Sequence, residues 1–291
     1  MEGGIILLDK PKGMTSFECD KKVRKSTGIK KIGHSGTLDP FATGLLPIFV
    51  GDALKYMRYT DNFDKTYVCK ALFGAVSDTG DSDGVIKHKR KKPREKDIDS
   101  IKDALAEIAS RTTQTPPRFS AKKINGRKAY DLARKGIDFE LKPVAIKIYS
   151  LTVLNTEVVK EGVIVDFEVH CSKGTYIRTS CTDAGDLTGF GAYALELRRT
   201  KAGPFSIDDA CVPANIGDFI DPSITLHDMP SVDLDKARAD DLKHGRRFHA
   251  DKLEGFSCKP NELCQAKLNG VLIAVIYSDE DGIIRVDRGF A

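Results

Sequence analysis

The stretch GVIVDFEVHC, residues 162–171, places Val163, Val165, Phe167 and Val169 at every second position. Side chains on a strand alternate between two faces, so this spacing demands a half-buried strand and a layer of structure to cover its apolar side. The rest of the chain supplies both sheet and cover. GGIILLDK reads as a buried strand. TSFECDKKVRKSTG reads as a helix opened by a capping box, Thr15 with Glu18, and closed at Gly28. TGLLPIFVGDALKYMRYT predicts a strand leading into a short amphipathic helix, and KTYVCKALFG (Lys65–Gly74) a strand followed by the turn-rich SDTGDSDG. DIDSIKDALAEIAS has helical spacing, and GRKAYDLARKG predicts a second helix on a protruding insertion. VAIKIYSLTVL is a further strand, GTYIRTSCTDAGDLTG a helix capped by Gly189, and GAYALELRRTKAGPF a closing strand. Strands and helices mix without regular βαβ alternation, which predicts an α+β fold around a central mixed, largely antiparallel sheet flanked by helices. From Ser231 onward, one helix (LDKARADDLKHG) and short strands punctuated by LNG and SDEDG predict a small β-rich unit.

With 291 residues, 41% of them hydrophobic, the chain has material for one large core, or for a large and a small one, and about 220 residues of main domain with a C-terminal appendage are expected. No apolar run reaches the roughly 18–20 residues of a membrane span, and MEGGIILLDK lacks the pattern of a signal peptide, so the expectation is a cytoplasmic protein. Seven dispersed cysteines without a C-x-x-C pair suit a reducing compartment and argue against structural zinc. The net charge of +4 conceals strong local bias. KHKRKKPREK (Lys87–Lys96) holds seven Lys/Arg against one Glu, and RFSAKKINGRKAYDLARKG (Arg118–Gly136) seven against one Asp. Ser206–Asp235, in contrast, repeats aspartate with no Lys or Arg. Basic clusters attract phosphate backbones, and in the second cluster Phe119 and Tyr130 are interleaved as rings able to stack on unpaired bases.

GHSGTLDPFATG, residues 33–44, packs poorly as helix or strand and sets Asp39 immediately before Pro40. The proline fixes the chain after the aspartate, so the carboxylate sits on a stiffened turn, the placement a nucleophile or general base requires. An Asx-turn gives the same dipeptide a purely structural role. His34 and Asp39 are two candidate ligands, too few for zinc, and neither a G-x-x-x-x-G-K-[ST] nor a G-x-S-x-G motif is present.

GHSGTLDPFATGLLP resembles the catalytic motif of the TruB family, the bacterial tRNA pseudouridine-55 synthases. LLDKPKGMTSF, KTYVCKALFGAVSDTGDSDG, CSKGTYIRTSCTDAG and LRRTKAGPF are similar to the family's other ordered motifs, and TPPRFSAKKINGRKAYDLARKG to its RNA-gripping thumb insertion. The resemblance runs from about Gly3 to Phe205. It implies a pseudouridine synthase fold with a catalytic domain over residues 1–228, a thumb over about 112–143, and a small PUA-like RNA-binding domain over 229–291, where LKHGRRF resembles that module's opening. It implies catalytic roles for Asp39, Tyr67 and Arg178. Asp39 attacks the target nucleotide at the ribose or the ring, or deprotonates the sugar toward a glycal; Tyr67 lies against the base; Arg178 pairs with Asp39. Substrate contacts follow for His34, Tyr176 and Leu197, for Lys10 and Pro11 of the first motif, and for Arg118, Lys122, Lys123 and Arg127 of the thumb. The implied substrate is the T stem-loop of tRNA, taken up by base flipping, with no cofactor, metal, membrane or obligate protein partner, by a monomer.

The isomerisation exchanges a C–N for a C–C bond without redox change. It needs an ionised carboxylate in a closed pocket, which the Arg178 guanidinium is expected to hold at low pKa. Two other readings stay open from the sequence: a guide-dependent relative acting on ribosomal RNA, and a non-catalytic RNA-folding module.

Overall fold

The computed structural model describes residues 3–120, 122–124 and 126–290. The chain divides into two compact units, Met1–Ile220 and Asp221–Ala291. An eight-stranded sheet organises the first: β1 (Ile5–Lys10), β2 (Ile32–His34), β3 (Thr43–Val50), β4 (Lys65–Phe73), β5 (Ile148–Val159), β6 (Gly162–Cys171), β7 (Ala192–Ala202) and β8 (Phe205–Ser206). Its order is β1-β3-β7-β4-β6-β5, with β2 beside β3 and β8 beside β7. Only β3 and β7 run parallel, so the sheet is mixed and largely antiparallel.

The alternation in β6 is realised as a face. Val163, Val165, Phe167 and Val169 are at most 1% exposed, and they share a core with Ile101, Leu105 and Ile108 of α2 (Ile98–Ser110). Each such side chain contributes about 1.5–3 kcal/mol by leaving water. The buried positions of α2, Ile101, Ala104, Leu105 and Ile108, follow the i, i+3, i+4, i+7 stripe that a helix lays on a sheet. Helix α1 (Ser16–Thr27) starts at the expected capping box: the Thr15 hydroxyl accepts from the Glu18 amide at 3.2 Å, and the Glu18 carboxylate accepts from the Thr15 amide at 2.8 Å. It ends at Gly28, whose φ of 72° is the left-handed conformation that glycine adopts without strain.

Two expectations change, and one placement is added. The segment after β3 is two 3₁₀ turns, Gly51–Lys55 and Met57–Thr60, rather than one amphipathic helix. The insertion helix shrinks to α3 (Ala129–Arg134), because Gly126 turns left-handed and commits Arg127–Lys128 to a hairpin with Lys123–Ile124. Strand β7, last of the long strands in sequence, lies at the centre of the sheet, since β3 and β4 each offer it an edge. The insertion leaves and returns at one point, where Thr113–Gln114 pairs with Val144–Ala145.

Gly44 shows how tightly β7 is seated. Its φ is +100°, and a Cβ there would stand 2.3 Å from the Arg199 carbonyl oxygen and 2.8 Å from the Arg199 nitrogen. We expect Gly44→Ala to cost about 2–5 kcal/mol, summing left-handed strain and overpacking, read as a lowered urea midpoint at unchanged m-value.

The second unit has its own four-stranded sheet, in the order Ser231–Asp233, Cys264–Leu268, Val271–Ser278, Ile284–Gly289. Val232, Leu242, Ile276 and Ile284 are in its core, with helix α5 (Lys236–Lys243) capped by Asp235. Asn269 (φ 51°) and Gly270 (φ 77°) form the hairpin turn that LNG announced. The division falls slightly ahead of the expected 228/229 boundary, because the Gln265 amide donates to the Leu226 and Met229 carbonyls and ties that segment to the second unit.

Candidate active site

The GHSGTLDPFATG stretch begins in β2 and ends in β3, and its middle, residues 35–42, is a loop fastened from below. The Ser16 hydroxyl, at the start of α1, donates to the Leu38 carbonyl at 3.0 Å and accepts from the Leu38 amide at 2.9 Å. The Gly13 amide donates to the Pro40 carbonyl at 2.8 Å. Lys10, fully buried, donates from its ammonium to the carbonyls of Met14 (2.6 Å), Pro11 (3.1 Å) and Pro40 (3.3 Å). Burial pushes the Lys10 pKa down. Lys10 is therefore a strut beneath the loop rather than a substrate contact, because no part of its ammonium is left for a ligand.

Asp39 is thereby presented to Arg178, on the first turn of α4 (Ile177–Thr188), with Nη2 to Oδ2 at 2.9 Å. The guanidinium is almost wholly buried and saturated. Nη1 donates to the Thr79 carbonyl at 2.9 Å and meets Asp81 Oδ2 at 3.2 Å, while Nη2 also donates to the Phe119 carbonyl at 2.8 Å. One cation thus lies between two carboxylates. Burial pushes the Asp39 carboxyl above its ordinary pKa; the Arg178 charge opposes this, and the Asp81 charge adds to it. The expectation of a low pKa is corrected: the desolvation of the carboxylate outweighs the Arg178 charge.

Asp39 stands in the wall of a cavity of about 330 Å³, together with Tyr67, Tyr176, Arg178, Leu197 and Arg199. In the sheet, Tyr67 pairs with Val169 on one side and Arg199 on the other, so its ring projects on the helix-covered face. Burial raises the Tyr67 pKa, while the adjacent Arg199 guanidinium favours the ionised form. Arg199 is 1% exposed; Nε donates to the Leu45 carbonyl at 2.7 Å, and Nη2 has no hydrogen-bond partner among the described residues. Tyr176 is fixed by its backbone: the buried Gln114 side chain accepts from the Tyr176 amide at 2.8 Å and donates to its carbonyl at 3.1 Å. A second cavity of about 510 Å³ shares Leu38, Asp39 and Arg178 and is bounded by His34, Phe17 and Phe119. His34 is aligned there by Asp20 (Nδ1 to Oδ2, 2.8 Å) and Thr37 (Nε2 to Oγ1, 3.2 Å).

The remaining candidates are dispersed. Pro11 is exposed beside Lys10. Arg118 pairs with Asp138 at 2.9 Å, lies over the Phe139 ring and is not in the lining of either cavity, though the adjacent Phe119 bounds the second. Lys122 is half-buried and Arg127 exposed on the insertion. Lys123 lies in the small hairpin, with its side chain outside the described residues. Among the described residues, no group of three His, Cys, Asp or Glu could hold a metal ion, and no helix is long and apolar enough to cross a membrane.

The profile described as "TruB family pseudouridylate synthase (N terminal domain)" matches residues 24–177. The tRNA pseudouridine synthase B of Shouchella clausii (strain KSM-K16) is 38% identical over 250 residues, covering 86% of this chain and 80% of that protein. The chain belongs to the TruB family. Its counterpart in Aquifex aeolicus (strain VF5), also a tRNA pseudouridine synthase B, is 39% identical over 252 residues, 84% of this chain and 86% of that one. A chain of the crystal structure of a Cbf5-Nop10-Gar1 complex has a TM-score of 0.73 at 23% identity, covering 100% of this chain and 85% of its own length, a likeness of fold.

Two residues of this TruB-family pocket escaped the sequence reading. Asp81 sat in the turn-rich run SDTGDSDG, where nothing local separates it from the neighbouring aspartates. Arg199 left a usable signal: two adjacent arginines in a strand point to opposite faces, so one of Arg198 and Arg199 had to enter the covered side.

Proposed function

We propose that the protein is a stand-alone tRNA pseudouridine synthase that isomerises the T-arm uridine after flipping it into the 330 Å³ cavity. The observation that carries the reading is the Asp39 carboxylate, held at 2.9 Å by a buried arginine in the wall of a cavity that is also lined by two tyrosines. The flipped base costs a few kcal/mol to unstack, offset by Tyr67, Tyr176 and Leu197 closing around it. Asp39, ionised, attacks the nucleotide or takes a sugar proton; the uracil detaches, turns and rejoins through C5; Tyr67 assists the loss of the C5 proton. His34 and the basic insertion grip the opened T loop, with Arg118, Lys122, Lys123 and Arg127 facing phosphates. The second unit serves as a PUA-like RNA-binding module. The enzyme acts as a monomer in the cytoplasm, in keeping with seven cysteines that are all free thiols.

Tritium release from tRNA transcripts labelled at uridine C5 tests this. Stoichiometric release that requires both Asp39 and the T-arm uridine is expected; absence of release with tRNA binding intact would overturn it. The pH profile adds a second check. Only ionised Asp39 acts, and its pKa is raised, so kcat/KM falls as pH drops through a value above the ordinary carboxylate range. Asp81→Asn removes the like charge that helps to raise it, so the acid limb of that variant moves to lower pH.

A further inference from the structure

We propose that Lys147, Tyr149 and His170, on the sheet rim beside the cavity mouth, form a platform on which the RNA chain continues beyond the flipped nucleotide. This rests on the function proposed above. The platform is built by a register fault. Strand β5 pairs Ile148 with Cys171 and then Ser150 with His170, leaving Tyr149 as an extra residue in a bulge. Bulges re-aim side chains and gather next to active sites. Here the Tyr149 ring is set against His170, with centroids 4.7 Å apart and planes tilted by 35°. Tyr149 is 43% exposed, and Lys147 Nζ stands 5.0 Å from the centre of its ring. The Tyr149 hydroxyl donates to Asp64 at 3.1 Å, and the same carboxylate stands 3.9 Å from His170 Nε2, which orients both rings.

The platform meets the cavity rim at the strand ends. The Lys147 amide donates to the Ser172 hydroxyl and the Ser172 amide to the Lys147 carbonyl, each at 2.8 Å, and Ser172 and Lys173 line the cavity. Lys201 shares the row: it pairs with Thr66, which pairs with His170, so these three project on the face of the sheet opposite Tyr67 and Val169, and the row reaches the cavity only around the strand ends. Two strand spacings, about 10 Å, separate Lys201 from His170. A flipped nucleotide leaves its flanking phosphates and bases to cross this rim. Exposed rings between lysines suit that chemistry, since bases stack on aromatic faces and phosphates displace counterions from lysine. The ring pair alone would stabilise the sheet, but stabilisation needs no exposed lysines around it.

The test uses tRNA transcripts with the full chain and its Tyr149→Ala, Tyr149→Phe and Lys147→Ala variants. Tyr149→Ala is expected to raise KM and Kd roughly tenfold with kcat unchanged. Tyr149→Phe, which keeps the ring and loses the bond to Asp64, should stay within about twofold. Lys147→Ala should reduce the slope of log affinity against log salt by about one. Wild-type KM, Kd and salt slope in Tyr149→Ala and Lys147→Ala would overturn the platform, as would a fall in kcat at unchanged KM. A wild-type chain that binds tRNA and converts none would overturn the proposed function instead, and the Kd and salt-slope comparisons would still judge the platform.

Discussion

Asp39→Asn is expected to abolish pseudouridine formation, by about 10⁴-fold or more in kcat, the scale seen when an enzyme loses its reacting group, while the protein folds and binds tRNA as before. The structure separates these two outcomes. Folding raises the Asp39 pKa, so the carboxylate is harder to ionise in the native state than in the unfolded chain. A carboxyl of that kind contributes stability that is fully present below its unfolded pKa and lost as pH rises through the folded pKa. At neutral pH the ionised side chain is thus a burden on the fold, and the neutral amide removes it. Arg178 keeps Asp81 and the carbonyls of Thr79 and Phe119 as partners. Urea midpoints of Asp39→Asn at or above wild type, beside tritium release at background, are the expected pair; substantial residual release would show that Asp39 is not the reacting group.

Arg178→Ala should fail in the opposite manner, through the fold as well as the chemistry. Truncation leaves Asp39 and Asp81 without their shared cation, and strands two carbonyls that had accepted from it. Breaking a buried pair this way costs about 3–5 kcal/mol, which for a unit of this size lowers Tm by roughly 6–20 °C. Lysine is no substitute, since a point ammonium cannot span four acceptors that lie around a planar fork. Adding Asp81→Asn to Arg178→Ala should recover part of the lost stability and none of the turnover. Calorimetry of the single and double variants checks this, and an Arg178→Ala protein with wild-type Tm would contradict the burial argument.

The elements were legible where one local rule decided them. The alternation of Val163, Val165, Phe167 and Val169 fixed a strand and its covered face, and Thr15 with Glu18 fixed the start of a helix. What escaped depended on distant partners. Asp81 is singled out only by Arg178, far along the chain, and the expected low Asp39 pKa failed because nothing local announces how strongly the folded loop desolvates the carboxylate. Lys10 read as the end of a buried strand and, through the resemblance, as a substrate contact, and its three carbonyl acceptors appear only once the loop folds over it. The order of strands across the sheet was equally hidden, since each edge would accept any strand of fitting pattern.

The central place of β7 bears on how the enzyme is made. Without Ala192–Ala202 the pairings of the sheet fall into two ribbons, β1 with β3 and β4 with β6 and β5, each with an open edge where β7 enters. At about 5–20 residues per second, the edge of β4 waits on the order of ten seconds for its partner, during which it is open to pairing with a neighbouring nascent chain. The same strand brings in Leu197 and Arg199. Completion of the sheet and completion of the pocket are therefore a single event, and chains arrested before Ala192 should be protease-sensitive and inactive together.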